Sequence, residues 1–178
     1  MKPTRNLVGS TGLISLLLLI GPALADPTLN HEVTVKHEQG TNSSITSQMA
    51  QTMVDAAVRA AREKGFTIVV SIVDNHGNLK LFHRMDNTSS GSIQVSQLKA
   101  STSAQFPVST KKLAERSAQL PANPYGLIPG FLLLEGGLPI MNKNGLHIGG
   151  IGISGATPEL DAAFAQAAID GVAGSKPW

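Results

Sequence analysis

The sequence predicts an α+β domain with an antiparallel sheet. Apolar residues recur with helical spacing in some stretches and alternate or run together in others, in the order helix, hairpin, helices, strands, helix. Two short turns, "NHGN" and "NKNG", separate neighbouring strand-like stretches, which favours antiparallel pairing. The chain has no cysteine, so no disulfide can stabilise the domain and its core must do so.

The first predicted helix covers about 45–64, where apolar residues recur at every fourth position and form a continuous stripe. Ser43 or Ser44 can cap its N-terminus, and Gly65 is a typical helix stop. A proline just beyond a helical stretch ends it, and a proline in the first turn is favoured. On these signals the other predicted helices cover about 92–105, 109–119 and a closing stretch that Thr157 caps and Pro158 begins.

Five stretches have the composition of strands. "FTIVVSIVD" is β-branched and nearly all apolar, which is typical of a central strand covered on both faces. "LKLFHRM" alternates and returns from the first turn, so that these two stretches form a hairpin. The remaining three predicted strands are "FLLL" at 131–134, "LPIM" at 138–141 and "LHIGGIGIS" at 146–154.

The N-terminal region predicts export. Residues 1–25 combine Lys2 and Arg5 with an apolar stretch of 14 residues and the small-residue pattern Ala-Leu-Ala, which is typical of a signal peptide cleaved after Ala25. That stretch is shorter than the roughly 20 residues that span a bilayer, so we expect no membrane anchor. Residues 26–43 are then a flexible lead-in or an added edge strand, since "HEVTVKHE" alternates. Residues 44–178 form the single domain, and the expected location is periplasmic or secreted.

The charge balance gives no reason to expect a polyanionic partner. Once Lys2 and Arg5 are set aside with the leader, 12 basic residues match the 12 acidic ones. A neutral balance without a basic cluster predicts neither nucleic acid nor an anionic membrane surface as a partner. The five histidines have no paired helical spacing, and the missing cysteines exclude the usual structural zinc sites, so no metal site is predicted.

Polar residues are grouped at the ends of the predicted elements. "HRMD", from His83 to Asp86, closes the hairpin, and "KAST", which includes Lys99 and Thr102, lies in the second helix. Arg84 and Lys99 beside an apolar floor would suit a ligand that is mostly hydrophobic and carries acidic groups. An ion pair of Asp86 with either cation, serving only to hold the loop, explains the same residues equally well.

Glycines are dense from 135 to 155, in "EGG" and "GGIGISG". Glycine weakens strands, so such a cluster indicates sharp bends or a close approach of another group. Tight folding explains about half of these glycines. The position of Glu135 beside Gly136 and Gly137, in an otherwise apolar run from 127 to 140, favours a binding site or an interface between subunits.

Several stretches taken together resemble the signatures of the GlcG/HbpS family, also called the haem-degrading or DUF336 family. They are "VDNHGNLKLFHRMD", "KASTSAQF", "LEGGLPI" and "GLHIGGIGISGATPELD", and they occur in the family's order between about 45 and 172. Ser103 stands where the family commonly has alanine. The resemblance implies a compact α/β sandwich, in which helices flank a five-stranded antiparallel sheet, and assembly into homo-oligomers. The positions that match the family pattern are Asp74, Gly77, Arg84, Met85, Asp86, Lys99, Thr102, Gly136, Gly137, Pro139, Gly152, Ser154, Gly155 and Asp161.

The resemblance also implies haem, or a related tetrapyrrole, as the ligand of an exported binding protein. Haem needs an apolar slot, a cation for each propionate and an axial ligand. Arg84 and Lys99 are the candidate cations, and the candidate axial ligands are His83, Met85, Thr102 and His147.

Two other functions remain open from the sequence. An enzyme or enzyme accessory acting on a small oxygenated metabolite could use Lys99, Asp86 and Glu135, because a lysine and carboxylates that share a cleft can move protons. A non-catalytic oligomeric scaffold could use the apolar 127–140 segment as its subunit interface.

Overall fold

A computed structural model of the chain describes residues 44–173. Within them lie four α-helices, four strands and one short 3-10 helix at Pro124–Leu127. The predicted helices are confirmed, with boundaries that differ by at most two residues. The elements are α1 (Ser47–Glu63), β1 (Val69–Asp74), β2 (Leu79–Arg84), α2 (Gly91–Gln105), α3 (Thr110–Ala118), β3 (Gly137–Met141), β4 (His147–Ser154) and α4 (Pro158–Ala173). The predictions for residues 1–43 lie outside the described residues.

The strands form one antiparallel sheet in the order β2-β1-β4-β3. The predicted fifth strand at 131–134 is wrong, and the described residues contain four strands. In this stretch, side chains form hydrogen bonds with the backbone groups that a strand would use to pair with a neighbouring strand. The Leu132 N–H donates to Thr102 Oγ1 at 2.9 Å, and the Leu134 carbonyl accepts from Thr110 Oγ1 at 2.7 Å. "FLLL" therefore runs as an irregular segment beside α2 and α3.

Both edges of the sheet carry features that discourage further pairing. The register of β2 against β1 shifts by one residue at Lys80. On the other edge, β3 contains Pro139, which has no N–H to donate, and its register against β4 shifts beyond Ile140. Bulges, edge lysines and edge prolines are common ways of preventing strands of other chains from joining a sheet.

The two faces of the sheet are packed differently. On one face, Val70, Ile72, Ile151 and Ile153 belong to a hydrophobic cluster that includes buried residues of α1 and α4. On the other face lies α2, whose buried residues are mostly small or polar. There the Ser71 and Ser96 hydroxyls form a hydrogen bond of 2.8 Å. The face under α1 and α4 therefore supplies most of the apolar core.

Glycines in β4 allow α2 to lie very close to the sheet. A Cβ added at Gly152 would stand 2.1 Å from the Ser96 carbonyl oxygen, and one at Gly150 would stand 2.5 Å from the Ala100 carbonyl oxygen. Real Cβ atoms do not approach backbone that closely, so glycine is required wherever α2 crosses β4. Helix–sheet packing thus explains the glycines at the centre of "GGIGISG". This agrees with the prediction that tight folding explains part of the glycine cluster.

The two hairpin turns are stabilised by the same pattern of hydrogen bonds between a side-chain oxygen and backbone N–H groups. Asp74 Oδ1 accepts hydrogen bonds from the backbone N–H groups of His76 and Asn78, each at 2.9 Å. In the second turn Asn142 Oδ1 accepts from the N–H groups of Asn144 and Leu146 at the same distance. Burial alone would raise the pKa of Asp74, but the hydrogen bonds from Asn78 and His76 outweigh it and lower this pKa.

We expect Asp74→Ala to lower the free energy of unfolding by about 1–2 kcal/mol, because two backbone donors lose their acceptor. Asp74→Asn should cost less than Asp74→Ala near neutral pH, since Asn142 holds the equivalent turn with an amide oxygen. In the native chain, the contribution of the carboxylate is present above pH 3.8 and is lost as the pH falls through the lowered folded pKa. Urea unfolding from acidic to neutral pH measures both effects. An acid dependence as large in Asp74→Asn as in the native chain would contradict this assignment.

Candidate functional site

Lys99 lies in the interior and forms an ion pair with α4. Its side chain is fully buried, and Nζ donates to Asp161 Oδ2 at 2.8 Å and to the Ile153 carbonyl at 2.9 Å. Burial lowers the pKa of Lys99 and raises the pKa of Asp161, because each charge is removed from water, and the pairing opposes both shifts. The ammonium group is thereby enclosed by groups of the chain itself, and its position ties α2 to the start of α4.

The Glu-Gly-Gly stretch bends around this ion pair. Gly136 has φ +120°, and a Cβ there would stand 2.6 Å from Lys99 Nζ and 2.8 Å from the Asp161 Cβ. A Cβ on Gly137 would stand 2.5 Å from the Lys99 carbonyl oxygen. The two glycines are therefore required by the close approach of α2 and α4, and the "KAST", "EGG" and closing-helix signatures meet in one buried cluster.

Three hydroxyl groups of α2 and α3 hold the chain next to this bend. Thr102 is fully buried, and its Oγ1 donates to the Leu98 carbonyl at 2.8 Å while it accepts from Leu132. Thr110 Oγ1 also accepts from the Gly137 N–H at 3.1 Å. Ser103, where the family commonly has alanine, donates to the Leu138 carbonyl at 3.1 Å. These hydroxyl groups hold the neighbouring backbone in position. Thr102 is buried and does not reach the surface.

Glu135 pairs with Lys111 and forms no hydrogen bond with the buried Lys99. Its carboxylate accepts from Lys111 Nζ, with the shorter contact to Oε2 at 3.1 Å, and the lysine is largely exposed. Proton transfer between Lys99 and Glu135 would need both groups to face one cleft. Here Lys99 pairs with Asp161, and Glu135 pairs with Lys111. This arrangement does not favour the enzyme hypothesis.

The end of the first hairpin lies on the opposite edge of the sheet from the Glu-Gly-Gly bend. Arg84 and Ser154 both pair with Val69, so two strand spacings, about 10 Å, separate them. Arg84 Nε and Nη2 donate to the hydroxyl and the carbonyl of Thr88 at 2.9 and 3.1 Å. Asp86 is exposed and forms an ion pair with neither Arg84 nor Lys99, so neither loop-pinning ion pair is present. The structure thus unites Lys99, Gly136 and Gly137 and leaves Arg84 apart.

The candidate axial ligands are also dispersed. His83 pairs with Val70 and so faces the α1 and α4 side, whereas Arg84 faces the α2 side. Met85 packs against the same core as Val70, and its sulfur accepts from the Ile68 N–H at 3.4 Å. His147 begins β4, six residues and about 20 Å from Ile153, and its buried Nε2 has no hydrogen-bond partner among residues 44–173.

Asp161 is the residue of this cluster that the sequence interpretation did not connect with Lys99. The resemblance marked it only as the acid of the closing helix. The two residues are 62 positions apart, and no local spacing links them. A buried lysine needs a partner, and this requirement is the signal that would have directed attention to a carboxylate near the first turn of α4.

Residues 44–173 offer no clustered metal ligands. No group of three or more His, Cys, Asp or Glu side chains there could hold a metal ion. None of the helices in this part of the chain is both long and apolar enough to cross a bilayer.

The fold agrees with comparisons to known proteins. Residues 45–170 match the family described as haem degrading protein HbpS-like, and the chain belongs to this HbpS-like family. This confirms the resemblance drawn from the sequence. A relative of 34% identity over 132 residues is an uncharacterized 15.0 kDa protein in the dhaT-dhaS intergenic region of Citrobacter freundii. The match covers 72% of this chain and 92% of that protein.

Two solved structures extend this comparison. A double mutant of Streptomyces reticuli HbpS is 35% identical, with a TM-score of 0.67, and the match covers 71% of this chain and 86% of that one. A structure described as a PduOC:heme complex is 30% identical, with a TM-score of 0.65, over 72% of this chain and 94% of that one. Both share the arrangement of an antiparallel sheet flanked by helices.

Proposed function

We propose that this chain is an exported protein that binds a small ligand, haem or a related tetrapyrrole. The observation that carries the proposal is the similarity to a domain solved as a haem complex, which extends over 94% of that domain. The description of the family as haem degrading supports the same ligand class. The predicted signal peptide supports export. We expect the intact mass of the protein from the exported fraction to correspond to a chain that begins at Asp26.

The α2 side of β2 is the surface where a porphyrin fits this chain. Leu79, Phe82 and Arg84 pair with Val73, Ser71 and Val69, which face α2, so all three side chains share that face. Leu79 is 55% exposed and Phe82 is 38% exposed. Two apolar side chains beside a cation suit the ring and a propionate. Arg84 Nη1 forms no hydrogen bond within the described residues.

The same surface does not supply an iron ligand from the candidate set. His83 and Met85 face the other side of the sheet, Thr102 is buried, and His147 lies at the far end of β4. Lys99 is likewise enclosed and cannot reach a propionate in this conformation. The residues therefore fit the porphyrin ring and its carboxylates, and they do not fit the metal.

We expect hemin and iron-free protoporphyrin IX to bind the full chain in saturable titrations with dissociation constants within about threefold of each other, since no candidate ligand reaches the iron. Arg84→Ala should weaken both by about tenfold through the lost charge-assisted hydrogen bond. Absorbance and porphyrin fluorescence measure the two titrations. Lys143→Ala, in the turn between β3 and β4, is the matched control that removes an exposed cation elsewhere.

A non-saturating titration with both porphyrins would remove the proposed function. Saturable binding of hemin alone would retain haem as the ligand and reject the β2 surface as its site. Because Arg84 also holds Thr88, Arg84→Lys serves as a second variant. It preserves the charge while it removes the fork of donors.

We further propose that the chain forms homo-oligomers. Large apolar side chains are exposed on the described domain, among them Leu127 at 74%, which favours burial against another molecule.

A further inference from the structure

The start of α2 presents backbone donors that the protein itself does not use. The N–H groups of Ser90 and Gly91 form no hydrogen bond within residues 44–173, and no side chain caps this helix. Its first turn contains no acidic residue. By contrast, Thr46 caps α1 and Ser109 caps α3 through hydrogen bonds from their first turns. The start of α2 therefore combines free donors with the partial positive charge of a helix N-terminus, and both favour an anion.

Ser154 brings a buried hydroxyl group to the same place. It is the last residue of β4 and is only 7% exposed, and its Oγ has no hydrogen-bond partner within residues 44–173. Successive residues on this face of β4 meet successive turns of α2 in reverse order, and Gly152 lies against the turn at Ser96. Ser154 is the next residue on that face, so it lies against the preceding turn, which includes Ser92. A buried hydroxyl group without a partner is costly, and a bound group from outside the chain would explain it.

Arg84 adds a positive charge beside this end of the helix. Thr88, in the loop that leads into α2, accepts from Arg84 Nε through its hydroxyl group and from Nη2 through its carbonyl, which leaves Nη1 free. The backbones of Arg84 and Ser154 are about 10 Å apart on the α2 side of the sheet, which leaves room for a small anion that both side chains contact. Asp86, in the same loop, is exposed and forms no ion pair with a described residue.

We propose that the start of α2 is a binding site for a phosphate group. Two backbone N–H groups, one guanidinium nitrogen and one hydroxyl group supply four donors from three different elements, β2, α2 and β4. A phosphate group accepts hydrogen bonds on several oxygens that point in different directions, whereas the two oxygens of a carboxylate lie in one plane. Donors that converge from three elements therefore suit phosphate better. The site is additional to the proposed porphyrin surface, although both use Arg84.

Free inorganic phosphate and a phosphate monoester share this chemistry, and calorimetric titrations of the full chain separate them. We expect one inorganic phosphate to bind per chain with a dissociation constant of about 1 mM or lower, and acetate to bind at least about tenfold more weakly. Glycerol 3-phosphate is the ester. An ester that binds at least about threefold more tightly than inorganic phosphate identifies a phosphorylated small molecule as the ligand. Equal or weaker binding of the ester identifies the free anion.

Two substitutions test the position of the site. Ser154→Ala should weaken phosphate binding about fivefold without lowering the Tm, because the hydroxyl group that it removes has no partner in the chain. Ser90→Asp should abolish binding, because the new carboxylate lies at the free N–H groups and repels the anion. Ser47→Asp is the matched control, since it places the same charge at an exposed residue in the first turn of α1, and it should retain the native affinity. Circular dichroism establishes that each variant is folded.

Three results would overturn the inference. A native chain that shows no saturable phosphate binding rejects the site, and native affinity in folded Ser154→Ala and Ser90→Asp variants places the anion elsewhere. Acetate that binds as tightly as phosphate rejects the ligand class. Porphyrin titrations of the same native sample keep this outcome separate from the proposed function. A chain that binds porphyrin but no phosphate contradicts only the phosphate site, and a chain that binds phosphate but no porphyrin contradicts only the proposed function.

Discussion

Gly152→Ala is expected to lower the free energy of unfolding by about 3 kcal/mol, because the new methyl group meets backbone and cannot be accommodated by rotating a side chain. The added Cβ would stand 2.1 Å from the Ser96 carbonyl oxygen and 2.4 Å from the Ala100 nitrogen. Relief requires α2 to move away from β4. That movement would also disturb Lys99, whose Cβ is 2.9 Å from the same position.

Chemical denaturation with both fluorescence and circular dichroism measures this change. Gly91→Ala is the matched control, because Gly91 is the first residue of α2 and a Cβ there meets nothing within 4 Å. We expect Gly91→Ala to change the free energy of unfolding by less than about 0.5 kcal/mol. Equal effects of the two substitutions would mean that the distance between helix and sheet does not explain the glycine in β4.

The second large effect on the free energy of unfolding is expected when one partner of the buried ion pair is removed. Lys99→Met should lower the free energy of unfolding by about 3–5 kcal/mol, because it leaves the Asp161 carboxylate buried without its cation. Asp161→Asn should cost a similar amount by leaving the ammonium group unpaired. The double variant should recover at least about half of the summed loss, since both charges are then absent and the amide oxygen can still accept from the Ala156 N–H.

The pH dependence of Lys99→Met provides an independent check. Burial already raises the pKa of Asp161 above 3.8, and removal of the lysine removes the interaction that opposes this rise. The folded variant then binds a proton more tightly than the unfolded chain, so its stability increases as the pH falls from the folded pKa toward 3.8. We expect a smaller deficit relative to the native chain at about pH 5 than at about pH 8. A deficit that does not change with pH, together with no recovery in the double variant, would show that lost packing explains the effect.

Much of the architecture could be predicted from local pattern. The apolar stripe of α1, the run of β-branched residues in β1 and the proline at the start of α4 each lie within one element, and each element formed as predicted. The family was also correctly identified, because its signatures occur in order along the chain. The error at 131–134 has the same origin. Four apolar residues satisfy the pattern of a strand, but two threonines from other elements take the hydrogen bonds.

The candidate site was predictable only in part. The middle of α2 and the Glu-Gly-Gly bend, which the sequence marked separately, meet around Lys99. Lys99 was expected to face a ligand because lysine is usually exposed, and the structure instead encloses it beside Asp161. Arg84 was expected near Lys99, yet the sheet order puts β1 and β4 between β2 and β3. Strand order depends on long-range pairing, which residue spacing does not encode.

The amino-acid sequence by itself determined the helices, four of the five predicted strands and their turns, since each depends on periodicity or turn chemistry within about twenty residues. It also determined the family, through the order of the signatures along the chain. Only the tertiary structure decided what the signature residues do. In the folded domain the glycines form the contact surface for a helix, and Lys99 forms half of a buried ion pair. These roles depend on groups up to 62 residues apart meeting in a dry interior, where an unpaired charge or an extra methyl group has a cost that no local pattern reveals.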